Sequence, residues 1–189
     1  MPRPAILPPI DWKAIFASGL DDAAWMAAAE SAEQREKLEA QRQALTLEVQ
    51  VTGFLGALPR PVHVVAIAED WCGDVVRHVP VLQRMAEASP MLKVRYITRQ
   101  QWPDVFARFL TNGGEAIPKF IFLSDRFVEC GNWGPMPEAC RELISRGKAC
   151  GDVAAARKKV DALYETDGQR REVVRELLHL VDVAVSREP

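Results

Sequence analysis

"IAEDWCGDVVRHVP", Ile67 to Pro80, is where an apolar run gives way to a helical pattern, with a tryptophan, a cysteine and a glycine at the junction. The run that feeds it, "VHVVAIA" (Val62 to Ala68), is continuous, β-branched and apolar, the sign of a strand buried on both faces. Beyond it, Val75, Val79, Leu82 and Met85 or Ala86 recur at helical spacing, so Asp74 to Ala88 reads as a helix with one apolar face. Cys72 therefore stands between a buried strand and a helix N-terminus. Unpaired backbone N–H groups and the helix dipole favour a thiolate there. Asp74, Glu69 and Asp70 oppose it with like charge. Trp71 can shield one side of the sulfur, and Gly73 lets a partner backbone approach. The plain alternative is a small apolar filler, for which tryptophan and glycine are poor neighbours.

Working outward, "LKVRYI" (Leu92 to Ile97) alternates and suggests an edge-like strand, and Pro103 opens a helix with Phe106, Phe109 and Leu110 inward. Asn112-Gly113-Gly114 ends that helix. "KFIFL" (Lys119 to Leu123) is a second buried strand, "SDR" a tight turn, and "FVEC" its hairpin partner. Pro137 opens a helix with Cys140, Leu143 and Ile144 inward, closed by Gly147. Two amphipathic helices follow, carrying Val153, Ala156, Val160 and Leu163, then Val174, Leu177, Leu178, Val181 and Val185. Upstream, Asp11 to about Leu58 reads as helical, with Asp21 or Asp22 as an internal cap and Leu38, Leu45, Val49 and Leu55 near helical spacing. From Val62 on, the order is β-α-β-α-β-β-α: a βαβ unit with parallel strands, then an antiparallel hairpin.

That order, with "WCG" after the first buried strand, resembles the thioredoxin family. "EDWCGD" matches the family's WCxxC site through its first cysteine. Pro80 matches the proline that kinks the active-site helix. "AIPKFIFL" matches the segment whose proline, here Pro118, is cis and opens the third core strand; Gly134 matches the glycine that closes the hairpin. The resemblance implies an α/β, three-layer thioredoxin-like fold with a mixed sheet flanked by helices. It implies a domain over residues 59–150, a helical N-terminal extension over 1–58, and C-terminal helices over 151–189 packed on the same domain. Two family positions differ: the second cysteine is Val75, and the buried proton-relay aspartate is Ala66.

The resemblance makes Cys72 the catalytic residue, with Asp74, Val75 and Pro80 structural at the site. Trp71, Gly73, Ile117, Pro118, Trp133 and Arg99 would bind substrate, and an extended peptide could pair with the Ile117 backbone. For Trp133 the alternative is packing against the last helices. Without a second cysteine at 75, the mixed disulfide must be released by a small thiol or by a distant cysteine. Cys130, on the returning strand, lies two strand spacings away, roughly 10 Å, beyond the ~7 Å limit for a disulfide. Cys140 and Cys150, the latter in a connecting segment, read as filler. His63, His78 and His179 read as structural or surface groups, which leaves no Cys-His hydrolase.

The chain has 189 residues, 48% hydrophobic and 26% charged, with a formal net charge of −2. That balance offers no electrostatic case for nucleic acid or for an anionic membrane. The N-terminal "MPRPAILPPIDWK" has four prolines and no apolar core, so it is not expected to be a signal peptide. No run approaches the ~18 apolar residues of a membrane span. Four dispersed cysteines without CxxC or CxxH make neither a zinc site nor a disulfide scaffold. These features lead to a cytoplasmic protein with no metal or cofactor, using glutathione or another low-molecular-weight thiol as co-substrate. Two functions are open: a monothiol thiol–disulfide oxidoreductase acting on a disulfide-containing protein or small-thiol disulfide, or a redox-inactive thioredoxin-fold protein that binds a partner beside Pro118.

Overall fold

The computed structural model describes residues 7–187. The first six residues of the proline-rich start lie outside them. The long N-terminal helical reading resolves into four helices, α1 (Trp12–Ser18), α2 (Asp22–Ala27), α3 (Ala32–Ala44) and α4 (Val49–Gly56). Local chemistry makes the breaks. The side chains of Asp11, Asp21 and Ser31 each accept the backbone N–H three residues on, so three new starts are written into the segment. Between α1 and α2, Leu20 exchanges backbone hydrogen bonds with Tyr96 at 2.8 and 2.9 Å, which a continuous helix could not do. Val49, read as an inward position, is exposed.

The core unit follows the expected order: β1 (Val62–Ile67), α5 (Gly73–Glu87), β2 (Leu92–Ile97), α6 (Pro103–Phe106) with a 3-10 turn over Ala107–Phe109, β3 (Lys119–Leu123), β4 (Glu129–Trp133) and α7 (Glu138–Cys150). α8 (Val153–Thr166) and α9 (Arg171–Val185) close the chain. Strand order is β2-β1-β3-β4, with β1 parallel to β2 and antiparallel to β3. β1 is buried at all six positions because it is central and covered on both faces, which is why its sequence does not alternate. β2 is the edge, as its alternation implied, and the Leu20 bridge covers part of it.

One face of the sheet carries α5 and α9. There Trp133 stacks on Phe120 at 5.3 Å, meets His78 of α5 edge-on, and donates its indole N–H to Glu176 of α9. The other face carries α1 and the α6 region, where Trp12 packs on Phe109 at 5.9 Å and Phe16 on His63 at 4.9 Å. The N- and C-terminal helices share one core with the sheet, since Leu38, Leu55, Leu177 and Val181 are fully buried beside Val64 and Phe122.

Several boundaries differ from the sequence reading. β4 starts at Glu129, not Phe127, because Phe127 takes a left-handed φ of 60° in the turn. Gly147 does not end α7. α8 lies against it so closely that a Cβ there would stand 2.5 Å from the Ala156 Cβ, and the helix runs on to the left-handed Gly151. Cys150 is thus the last residue of α7 rather than part of a connector. Leu110 and Leu163 are exposed. Among the described residues, no helix is long and apolar enough to cross a membrane.

Candidate functional site

Cys72 caps α5 from the end of the β1 loop, with extended backbone at φ −81° and ψ 125°. Its thiol donates to the Ile117 carbonyl at 3.5 Å, so the two segments singled out 45 residues apart do meet. The Ile117–Pro118 peptide is cis. The Ile117 N–H has no hydrogen-bond partner among the described residues. Val75 is fully buried in the first turn of α5, and Pro80 sits inside the helix where it removes one backbone donor. Gly134, at φ 120°, lies against the Pro118 carbonyl, and Gly134–Pro135 is a second cis bond that the sequence did not suggest.

The charges flanking Cys72 are engaged elsewhere. Asp70 is buried and accepts the Glu30 N–H at 2.8 Å. Glu69 is held by Arg99 through the backbone N–H at 3.0 Å and the guanidinium at 3.0 and 3.1 Å. Burial alone would push the Glu69 carboxyl up, but the Arg99 hydrogen bonds and charge outweigh it and hold it below its usual range. Trp71 donates its indole N–H to the same carboxylate at 3.0 Å, with the Arg99 guanidinium 5.2 Å over its ring. Arg99 therefore buttresses Trp71 from behind, where the sequence reading had it on the groove rim. Two acids line the groove, Asp74 and Glu115. Burial pushes the Asp74 carboxyl up, with Arg77 at 3.6 Å acting against the shift.

The groove beside Cys72 has a volume of about 790 Å³ and is walled by Trp71, Ile117, Asn132, Met136 and Ile144. Trp133 is not part of it. Only 3% exposed, it is the packing residue that the second reading described, because its ring is needed between β3 and α9. A Cβ at Gly73 would meet nothing within 4 Å, so that face of the site is open. A smaller hollow of about 170 Å³, lined by Leu47, Val51, Val174 and Leu178, has no cysteine in its lining.

The other cysteines are placed poorly for resolution. Cys130 stands at the start of β4, at the bulge opposite Phe122 and Leu123, whereas the Cys72 end of the sheet is marked by Ile67 opposite Lys119. The later start of β4 moves it to the far end. Burial raises the thiol pKa of both Cys130 and Cys140. Ala66, where the family's relay acid would be, is fully buried opposite Phe120.

Lys119 escaped the sequence reading, and His78, read as a structural or surface group, is a core residue. Lys119 is a buried lysine on the groove floor, and the signal for it was a charge at the first position of an otherwise continuous apolar strand. His78 is fully buried, contacts the Tyr164 hydroxyl at 3.2 Å, and leaves Nδ1 without a partner among the described residues. Burial, then the nearby Arg77 and Arg170, lower its pKa to about 3. Between about pH 6.5 and 3 the unfolded chain thus binds a proton that the native protein refuses, so stability falls with falling pH. From pH 7 to pH 5 this group is expected to cost about 2 kcal/mol. Urea midpoints at the two pH values check it, because His78→Gln should lose less stability over that interval by about that amount.

A family model described as thioredoxin matches residues 19–156, which include α2 to α7 and the start of α8. No curated protein matches the sequence. Among solved structures, a Pseudomonas aeruginosa protein of unknown function is 18% identical with a TM-score of 0.70, covering 92% of this chain and 98% of that one. An HIV epitope-scaffold is 20% identical at the same TM-score and coverage. Both likenesses are of fold. With the family model spanning well over half of the sequence, and the strand order and cis-proline loop in place, the chain belongs to the thioredoxin family.

Proposed function

We propose that the protein is a monothiol thiol–disulfide oxidoreductase with Cys72 as its only nucleophile. The observation that carries this reading is the Cys72 sulfur 3.5 Å from the Ile117 carbonyl, on an open groove, with the Ile117 N–H unpaired among the described residues. An extended substrate can pair with that backbone and present its disulfide to the sulfur. The Cys72 thiolate attacks one sulfur of the disulfide, the S–S bond breaks, and the leaving thiolate takes up a proton. A low-molecular-weight thiol then attacks the Cys72 sulfur of the mixed disulfide and expels the second substrate thiol. A second one attacks the outer sulfur of the resulting small-thiol adduct, releasing Cys72 and the oxidised small-thiol disulfide, so one substrate disulfide is reduced at the expense of two small thiols. Asp74, which lines the same groove two residues along the chain from Cys72, is the acid assigned to hold or return the proton.

A second reading, a redox-inactive scaffold that binds its partner in the same groove, is favoured by Val75 and Ala66. Whole-protein mass spectrometry after brief exposure to glutathione disulfide separates the two. Cys150 is exposed and serves as the internal control. The enzyme reading expects Cys72 to be modified at least about tenfold faster than Cys150, with excess thiol reversing the adduct. Equal or slower reaction at Cys72 would establish the scaffold reading instead.

A further inference from the structure

Four cations line the groove, Arg108, Lys119, Arg141 and Lys148, against two acids, Asp74 and Glu115. Both acids have cations of their own: Asp74 pairs with Arg77 at 3.6 Å and Glu115 with Arg99 at 2.7 Å. None of the four lining cations has an ion-pair partner among the described residues. Lys119 is the most telling. Its residue is 4% exposed, and its ammonium donates only to neutral oxygens, Thr111 Oγ1 and the Gly134 carbonyl, each at 2.8 Å. The Arg141 guanidinium donates to that same carbonyl at 3.4 Å. One carbonyl dipole thus serves two cations, and a buried cation without a counter-charge is costly unless something else supplies the anion. Burial, then the Arg141 charge, lowers the Lys119 pKa to about 8, as expected of an uncompensated site.

We propose that Lys119 and Arg141 form an anion-binding subsite on the floor of the groove beside Cys72, and that it selects small disulfides carrying a carboxylate near the sulfur. For its substrates this rests on Cys72 being the nucleophile; the anion subsite itself rests on the lysine, the arginine and their missing counter-charge. An occupant's carboxylate makes charge-assisted hydrogen bonds to both cations and places its sulfur along the groove toward Cys72. A cationic disulfide of the same length meets four unpaired positive groups and is rejected.

Three disulfides of similar size test this: 3,3′-dithiodipropionate, 2-hydroxyethyl disulfide and cystamine, which are anionic, neutral and cationic. In each, the Cys72 thiolate cleaves the S–S bond, forms a mixed disulfide and releases one thiol. Adduct formation at Cys72 is expected to run in that order, with at least a tenfold span between the first and the last. Lys119→Met and Arg141→Gln should each collapse the span toward unity. The second variant lies on the half-buried surface of α7 and serves if the first fails to fold. A parallel titration uses 3,3′-thiodipropionate, a thioether with no disulfide, on the Cys72→Ser protein, where binding should weaken severalfold on adding either substitution. A flat series, or a charge preference that survives both substitutions, overturns the subsite and leaves the oxidoreductase reading standing. If no disulfide reacts at Cys72, the thioether decides: binding that depends on Lys119 and Arg141 upholds the subsite while the redox reading fails, and binding that is absent or indifferent to them overturns it.

Discussion

Gly134→Ala is expected to destabilise the protein by about 2–6 kcal/mol, a large share of the 5–15 kcal/mol typical of a folded domain. Two effects add. At φ 120° the backbone lies in a region where a side chain is strained. A Cβ built there would also stand 2.0 Å from the Pro118 carbonyl oxygen and 3.0 Å from its carbon. Both atoms are backbone, in the loop that carries Ile117 to the Cys72 sulfur, so the overlap cannot be relieved by a rotamer change. Urea unfolding of the variant measures the loss. Gly73→Ala is the control, because a Cβ there meets nothing within 4 Å, and it should leave the midpoint nearly unchanged. A Gly134→Ala protein as stable as the natural one would mean that the hairpin end does not press on the Pro118 loop.

Val75→Cys is expected to create a dithiol site and raise the catalysed reduction of insulin by dithiothreitol at least about tenfold, since an intramolecular thiol resolves a mixed disulfide far faster than a dilute external one. Val75 lies in the first turn of the helix that Cys72 caps, on its fully buried side, so the two sulfurs can come within disulfide reach. Valine and cysteine are close in size, and the substitution should cost under about 1.5 kcal/mol. Thiol titration before and after oxidation reports whether the bond forms. A folded variant without an internal disulfide would show that Cys72 does not face residue 75. A disulfide without reductase activity would show that the groove is not built for disulfide substrates, which is the scaffold reading.

The central part of this fold was legible because its physics is local. β1 announces itself through an unbroken β-branched run, α5 through apolar spacing, and the edge character of β2 through alternation. The break before α2 was legible in Asp21 as a cap, whereas the one at Ser31 was also written locally but masked by the helix propensity of the segment that follows. At the site, Cys72, Pro118 and Gly134 were found through motif and order, and their contacts agree with it.

What the sequence by itself determined is therefore the order of elements, the identity of the nucleophile candidate, and the absence of a second cysteine at 75. Only the tertiary structure decided where the isolated charges and rings went. Trp133 looked like a rim residue until α9, more than 40 positions later, supplied Glu176 for its indole. Glu69 and Asp70 looked like anions crowding a thiolate until Arg99 and the Glu30 N–H took them up. Lys119 stood unremarked at the head of the buried "KFIFL" strand, and folding buries it with no ion-pair partner among the described residues. In each case the residue type sets what a side chain can do, but partners distant in sequence set its solvation and neighbours. Electrostatic and packing energies depend on those distances, which no local pattern encodes.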